Sequence, residues 1–180
     1  VPQPRIVTRL DKDTSGVVLV ALSADVHRQM QRDAAAGRVT KEYLASVLGT
    51  PVPPRGEIDA PLARSAADRR RVVVDEAGQH SRTRYEVLSV AGGLTLVRCE
   101  LATGRTHQIR VHLASRGWPI AGDAVYGAPH AEVPRQALHA WRVTLPHPIT
   151  RGILTLEAPL PQDMLGVIRS SGGTAGPRPW

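Results

Sequence analysis

Residues 6–37 read IVTRLDKDTSGVVLVALSADVHRQMQRDAAAG, and the order of elements in this stretch decides the fold class. Ile6 to Leu10 carries a short strand pattern, and Val17 to Leu22 is a continuous, β-branched-rich apolar run of the kind found in a buried strand. Between them DKDTSG, 11–16, is a polar turn. Ser23 can accept from the first free N–H groups of a helix over 24–36, where Val26, Met30 and Ala34 fall at i, i+4 and i+8 and Gly37 supplies the stop. The beginning of the chain is therefore expected to run strand, turn, strand, helix.

Outward from this stretch the periodicity changes to two. Val39, Lys41, Tyr43, Ala45 and Val47 share one face of the next strand, with Thr40, Glu42, Leu44, Ser46 and Leu48 on the other. Apolar residues on both faces predict an interior strand. GTPVPPRG at 49–56 reads as a loop and RSAADRRR at 64–71 as a basic connection, while Val72–Val74, Thr83–Val90 and Leu94–Leu101 read as strands, the last two joined through an AGG turn. Thr106 to Arg116 is the second helix, closed by Gly117 and Pro119; strands near 138–145 and 152–157 follow, and SSGGTAGPRPW at the end has the composition of a disordered tail. No repeat, coiled coil or linker interrupts the order. Many strands with two scattered helices indicate an α+β domain.

The 180 residues fit one domain large enough to bury its own core. With 23 Lys and Arg against 16 Asp and Glu the formal charge is +7, which favours a polyanionic partner such as RNA, DNA or an anionic membrane. Only Lys12 and Lys41 are lysines; the remaining basic residues are arginines, the better bidentate ligands for phosphate. Cys99 is the single cysteine, so no internal disulfide can form, and a reducing cytoplasm is the simplest home. No apolar run approaches the roughly 18 residues needed to span a bilayer, so a soluble protein is expected.

The string RLDKDTSG at 9–16 resembles the signature of the RluA-like pseudouridine synthases, which runs RLD, two variable residues, then TSG. KEYLASVLG at 41–49 is similar to that family's second motif, and IDAPLAR, RRRVVV and SRTRYEVL follow in the family's order. TGRTHQIRVHLASRGWPIAGDAVYG at 103–127 resembles its most distinctive stretch, and RQALHAWRVTLPHP and APLPQD extend the likeness to about residue 163. The resemblance implies a mixed, mainly antiparallel sheet with a few flanking helices, a catalytic domain over 1–168 and a disordered tail over 169–180. It differs from the family pattern in having Thr8 where relatives usually have His, and in lacking the strands that usually precede the RLD strand; their loss would expose a sheet edge.

The implied activity converts a uridine within rRNA or tRNA to pseudouridine without redox change, so neither cofactor nor metal is required. Asp11 matches the catalytic Asp of the pattern, attacking base or sugar or stabilising a glycal-like species. Arg110, on the second helix, matches the Arg that pairs with it, and a guanidinium within reach favours a charged carboxylate. Tyr43 matches a residue whose ring can stack on uracil and whose hydroxyl can mediate loss of the C5 proton. Arg9 can fill the gap left by a flipped nucleotide, and Arg105 and His107, beside Gly104 at the helix entrance, are expected to contact RNA. His107 and His112 are five apart, unlike the i, i+4 spacing of helical metal ligands. A monomer acting on RNA away from membranes is expected.

Two other readings fit parts of the chain. DKDT at 11–14 also matches the Asp-x-Asp-x-Thr loop of haloacid-dehalogenase-type phosphotransferases, although that loop should follow a strongly apolar strand of a parallel sheet and here Arg9 nearly precedes it. An RNA-binding protein that keeps the scaffold without activity would carry the same charge, but has little reason to keep Asp11 facing phosphates.

Overall fold

The computed structural model describes residues 3–170. Its elements are β1 Arg5–Ile6, β2 Ser15–Gly16, β3 Val20–Ala21, α1 Ala24–Ala35, β4 Thr40–Leu48, β5 Arg55–Asp59, β6 Leu62–Arg64, β7 Val72–Val74, β8 Arg82–Ala91, β9 Leu94–Leu101, α2 Gln108–Ser115, β10 Leu138–Pro146, β11 Ile153–Glu157 and α3 Gln162–Ser170. The main sheet runs β11-β10-β4-β9-β8-β5 with every neighbour antiparallel, and β2 joins β10 in parallel off this path. This is the α+β architecture expected from the sequence. As its two-faced apolar pattern requires, β4 is interior, pairing with β9 from Lys41↔Leu101 to Leu48↔Leu94 and with β10 on its other side.

Both faces of β4 feed the core, Leu44 from one side and Ala45 and Val47 from the other. Leu44, Ala45, Val47, Val97, Leu113 and Ile120 are buried in one cluster that also takes in Ile109 of α2 and Met164 and Ile168 of α3. On the face that carries Glu42, directly opposed strand neighbours pair Arg84 with Glu57 and Glu100, Arg98 with Glu86, and Arg142 with Glu42 and Glu157. Opposite charges facing each other across strands stabilise a sheet modestly.

Several local expectations need correction. The strand expected over Ile6–Leu10 is only Arg5–Ile6, because Thr8 Oγ1, not a backbone carbonyl, accepts the Leu19 N–H at 2.9 Å. Val17–Leu22 is not one buried strand: only Val20–Ala21 of it is strand, pairing with β1, and Leu19 and Ala21 are buried while Val18, Val20 and Leu22 are exposed. Helix α1 begins as expected, with Ser23 Oγ accepting the Val26 N–H, but its buried edge runs through Met30 and Asp33 and leaves Ala34 exposed. Asp33 can be buried because Arg38 and Arg151 both pair with it, at 2.8 and 2.7 Å.

Arg55 and Gly56 open β5 instead of ending a loop; β5 is an edge strand with only Ile58 buried, so it shows little apolar signal. The second helix starts at Gln108, two residues later than expected. Helix α3 has no counterpart among the expected elements. Its Met164 and Ile168 are core residues, and it extends to Ser170, so positions 169 and 170 close a helix instead of opening a tail. The rest of that expected tail, 171–180, lies outside the described residues.

Candidate active site

The turn carrying Asp11 closes on itself where the Thr14 N–H reaches the Asp11 carbonyl at 3.1 Å, with Asp13 at φ 69°. The segment before and into β10 then holds it from outside. Gln136 Nε2 donates to the Lys12 carbonyl at 3.0 Å and to Thr14 Oγ1 at 2.8 Å, while Arg135 donates to the Asp13 carbonyl at 2.8 Å and to Ser15 Oγ at 3.0 Å. Arg135 is itself held by both oxygens of Asp163 on α3, at 2.7 and 3.1 Å. Gly16 makes the close approach to β10 possible, since a β-carbon there would lie 2.1 Å from the Ala140 carbonyl oxygen. The turn is thus fixed from β10 and from the last helix.

Arg110 comes from α2, six of whose eight residues, Gln108 to Leu113, are buried. The polar ones are each satisfied. Gln108 accepts from the Arg105 N–H and donates to the Arg82 carbonyl and Thr83 Oγ1. His112 Nε2 donates to the Ala60 carbonyl at 3.0 Å, leaving Nδ1 to accept from Thr83 Oγ1 at 2.9 Å, and burial holds its pKa down in keeping with a neutral ring. Arg110 Nε and Nη2 meet Asp123 at 2.7 and 2.9 Å, and Nη1 meets Asp11 Oδ2 at 3.2 Å, 99 positions away in sequence. Burial opposes the guanidinium's charge, but the Asp123 and Asp11 contacts outweigh it and its pKa lies above the ordinary value. For Asp123, burial pushes up and the Arg110 bonds and two backbone N–H groups pull further down. The turn before Asp123 is tight: a β-carbon on Gly122, φ 74°, would lie 2.3 Å from the Arg135 carbonyl oxygen.

Asp11, Thr14, Gln108 and Arg110 line a cleft of about 260 Å³ that also takes in Thr8, Arg9, Lys41, Tyr43, Arg105 and His107. All six residues proposed from sequence therefore face one cavity. Burial, and then the charge of Asp11, push the Tyr43 phenol up to about 12, so its hydroxyl keeps its proton at neutral pH. His107 sits at φ 55° ahead of α2; its Nδ1 lies 2.8 Å from the Tyr126 hydroxyl, which accepts the Val72 N–H at 2.7 Å and so has its own proton free for the imidazole. Burial lowers the His107 pKa.

Arg105 and Gly104 also line an adjoining hollow of about 470 Å³ with Arg64 and Gln79. Among the described residues Arg9, Arg64, Arg71 and Arg105 have no carboxylate within 4.0 Å, unlike Arg84, Arg98 and Arg142. No group of three or more His, Cys, Asp or Glu side chains among the described residues could hold a metal ion, and no helix among them is long and apolar enough to cross a membrane.

Asp123, Tyr126, Arg135, Gln136 and Asp163 support the candidate site and are not singled out by the sequence. Their strings, GDAVYG, RQALH and PQD, belong to the motifs, yet nothing in spacing shows that a carboxylate at 123 lies behind a guanidinium at 110. Thr8 differs from the usual His of the pattern, and its hydroxyl is spent on the Leu19 N–H.

Comparison with known proteins identifies the family. A sequence model of the family described as RNA pseudouridylate synthase matches residues 1–115. Ribosomal large subunit pseudouridine synthase D of Nitrosomonas europaea is 44% identical over 179 residues, covering 94% of this chain and 52% of the relative; the uncharacterized RNA pseudouridine synthase YlyB of Bacillus subtilis is 42% identical over 171 residues, covering 94% and 56%. The chain thus spans about half the length of the curated relatives it matches. Among solved structures, human RNA pseudouridylate synthase domain containing 4 superposes with a TM-score of 0.77 at 26% identity, covering 92% of this chain and 75% of that one. Fold, motif order and sequence similarity together establish that the chain belongs to the RNA pseudouridylate synthase family.

Proposed function

We propose that this chain isomerises a uridine in RNA to pseudouridine, with Asp11 as the reacting carboxylate, Arg110 as its countercharge and Tyr43 as base stack and proton relay. The observation that carries this is the contact between Arg110 Nη1 and Asp11 Oδ2, made by a guanidinium already fixed by a buried carboxylate. An Asp11 carboxylate lining the cleft and held by a fixed guanidinium suits attack on the sugar or base, or stabilisation of a glycal-like species. In the reaction the N1–C1′ bond breaks, the uracil turns, C5 bonds to C1′, the C5 proton leaves and N1 gains one. Composition is conserved, so no oxidant, reductant or donor is consumed.

Tyr43 enters as a phenol. Its ring offers a stacking face, and its hydroxyl can take the C5 proton while passing on its own. Arg9, Arg105 and His107 at the cleft are assigned to RNA, with Arg9 filling the gap left by the flipped nucleotide, an extrusion that costs a few kcal/mol. Arg9, Arg64, Arg71 and Arg105 near the cleft have no acidic partner among the described residues, which leaves them available to a phosphate backbone. Because several similar bacterial proteins bear the name ribosomal large subunit pseudouridine synthase, large-subunit rRNA is the preferred substrate over tRNA, and a cytoplasmic monomer is the expected form.

The test uses rRNA and tRNA transcripts tritiated at uridine C5, incubated with the protein in excess EDTA. Release of tritium by the native chain, abolished in Asp11→Asn with RNA binding retained, is the expected result. RNA binding without release would favour a scaffold without activity, and release that requires added magnesium would contradict the proposed chemistry.

A further inference from the structure

Resting on the isomerase reading above, we infer that Lys41 is a catalytic residue whose ammonium takes up the negative charge that the uracil ring acquires as the N1–C1′ bond breaks. Lys41 and Tyr43 are two apart on β4 and so share a face, and both line the cleft that holds Asp11 and Arg110. The strand neighbours opposite Lys41 are Leu101 and Val143, which offer it nothing polar, while Glu42 next to it faces the other way and pairs with Arg98 and Arg142.

Lys41 is half-buried, yet among the described residues no carboxylate lies within 4.0 Å of it. Its Nζ rests 3.6 Å from the point a β-carbon on Gly104 would occupy, at the lip of the cleft. The other cations of the site differ. Arg110 is engaged by Asp123 and Asp11, whereas Arg9 and Arg105 are exposed at the mouth, where a backbone phosphate would pass. A partly desolvated ammonium with no resident anion, beside the aromatic ring on which the base would stack, is suited to an anion that appears only during the reaction. Burial alone pulls its pKa below the ordinary lysine value, which marks the same missing partner.

The step balances without a proton from lysine. The electron pair of the N1–C1′ bond stays with the ring and spreads over O2 and O4, one of which accepts a hydrogen bond from Nζ. When C5 then bonds to C1′, that pair becomes the new bond, C5 loses its proton through Tyr43 and N1 takes one from solvent. Neutral uracil before and pseudouracil after hold the ammonium less strongly, so the stabilisation falls on the charged intermediate and the states around it.

Two measurements test this. In tritium release, Lys41→Met is expected to lower kcat by about 100-fold with KM changed less than about 3-fold, as for loss of one charge-stabilising donor, and Lys41→Arg to restore part of it. In direct binding by NMR titration, the native chain is expected to prefer barbiturate, a uracil analogue anionic at neutral pH, over uracil, and Lys41→Gln to abolish that preference. A raised KM with native kcat, or a barbiturate preference that survives in Lys41→Gln, overturns the inference. Should no RNA release tritium with the native chain, the isomerase reading fails, while the barbiturate measurement still decides whether Lys41 holds an anionic pyrimidine.

Discussion

Asp123, with no solvent exposure, takes two of the three guanidinium nitrogens of Arg110 at 2.7 and 2.9 Å and leaves the third for Asp11. The carboxylate thereby sets the angle at which Arg110 presents its charge. Removing one partner of a buried ion pair costs about 3–5 kcal/mol because the other is left uncompensated, and Asp11 can offset only part of that. Asp123→Asn should accordingly lower Tm by about 10 °C and reduce turnover with it. Arg110→Lys keeps the charge without the fork and should lose most of the turnover as well. Scanning calorimetry alongside tritium release checks both; native stability in Asp123→Asn would remove it from the positioning role.

The pair Arg135–Asp163 ties α3 to the turn bearing Asp11. Asp163→Ala should free the guanidinium that holds the Asp13 carbonyl and Ser15, so amide hydrogen exchange at 12–16 should accelerate while the central strands β4 and β9 stay protected. Turnover should drop by about 10-fold, since small displacements of a reacting group are costly. Unchanged exchange in the turn would show that Gln136 holds it unaided.

Away from the cleft, Asp33 fastens α1 to Arg38 and to Arg151 beyond β10, and those hydrogen bonds hold its carboxyl well below the usual carboxylate range. A folded pKa below the unfolded one gives stability that is present above the unfolded value of about 3.9 and lost as pH falls through the folded value. Asp33→Asn should therefore be less stable than the native chain at pH 7, with the gap closing as the medium is acidified below about pH 4. Denaturant melts at several pH values would show it; a gap that widens in acid has the wrong sign.

How far the sequence is legible follows from which signals are local. β4, β8 and β9 are readable because alternation and turn chemistry are properties of neighbouring residues, and α1 because Ser23 and Gly37 bracket it. β5 is hidden by exposure, α3 by its short length after a Pro-rich segment, and the run 17–22 misleads because only Val20–Ala21 of it pairs, with the exposed strand β1. At the site, Asp11, Tyr43 and Arg110 stand out through motif resemblance. The polar residues behind them do not, since contacts such as Gln136 to Thr14 or Asp123 to Arg110 depend on distant segments meeting.

The unpaired arginines near the cleft should differ from the catalytic set. Replacing Arg64, Arg71 or Arg105 by Gln should weaken RNA binding with little regard to sequence. For each arginine that neutralises a phosphate of a single strand, its replacement should flatten the log–log salt dependence by about 0.7. Titrations across a salt series measure it, and an unchanged slope would take these residues off the RNA path.

The most direct measurement of the account is single-turnover tritium release by Asp11→Asn beside Asp13→Asn, with RNA affinity measured in parallel. Asparagine tolerates the left-handed backbone at position 13, φ 69°, so that substitution preserves the turn. If Asp11 is the reacting group, Asp11→Asn should release no tritium while binding RNA within about 3-fold of the native chain, and Asp13→Asn should stay close to native. An active Asp11→Asn beside an inactive Asp13→Asn would contradict it.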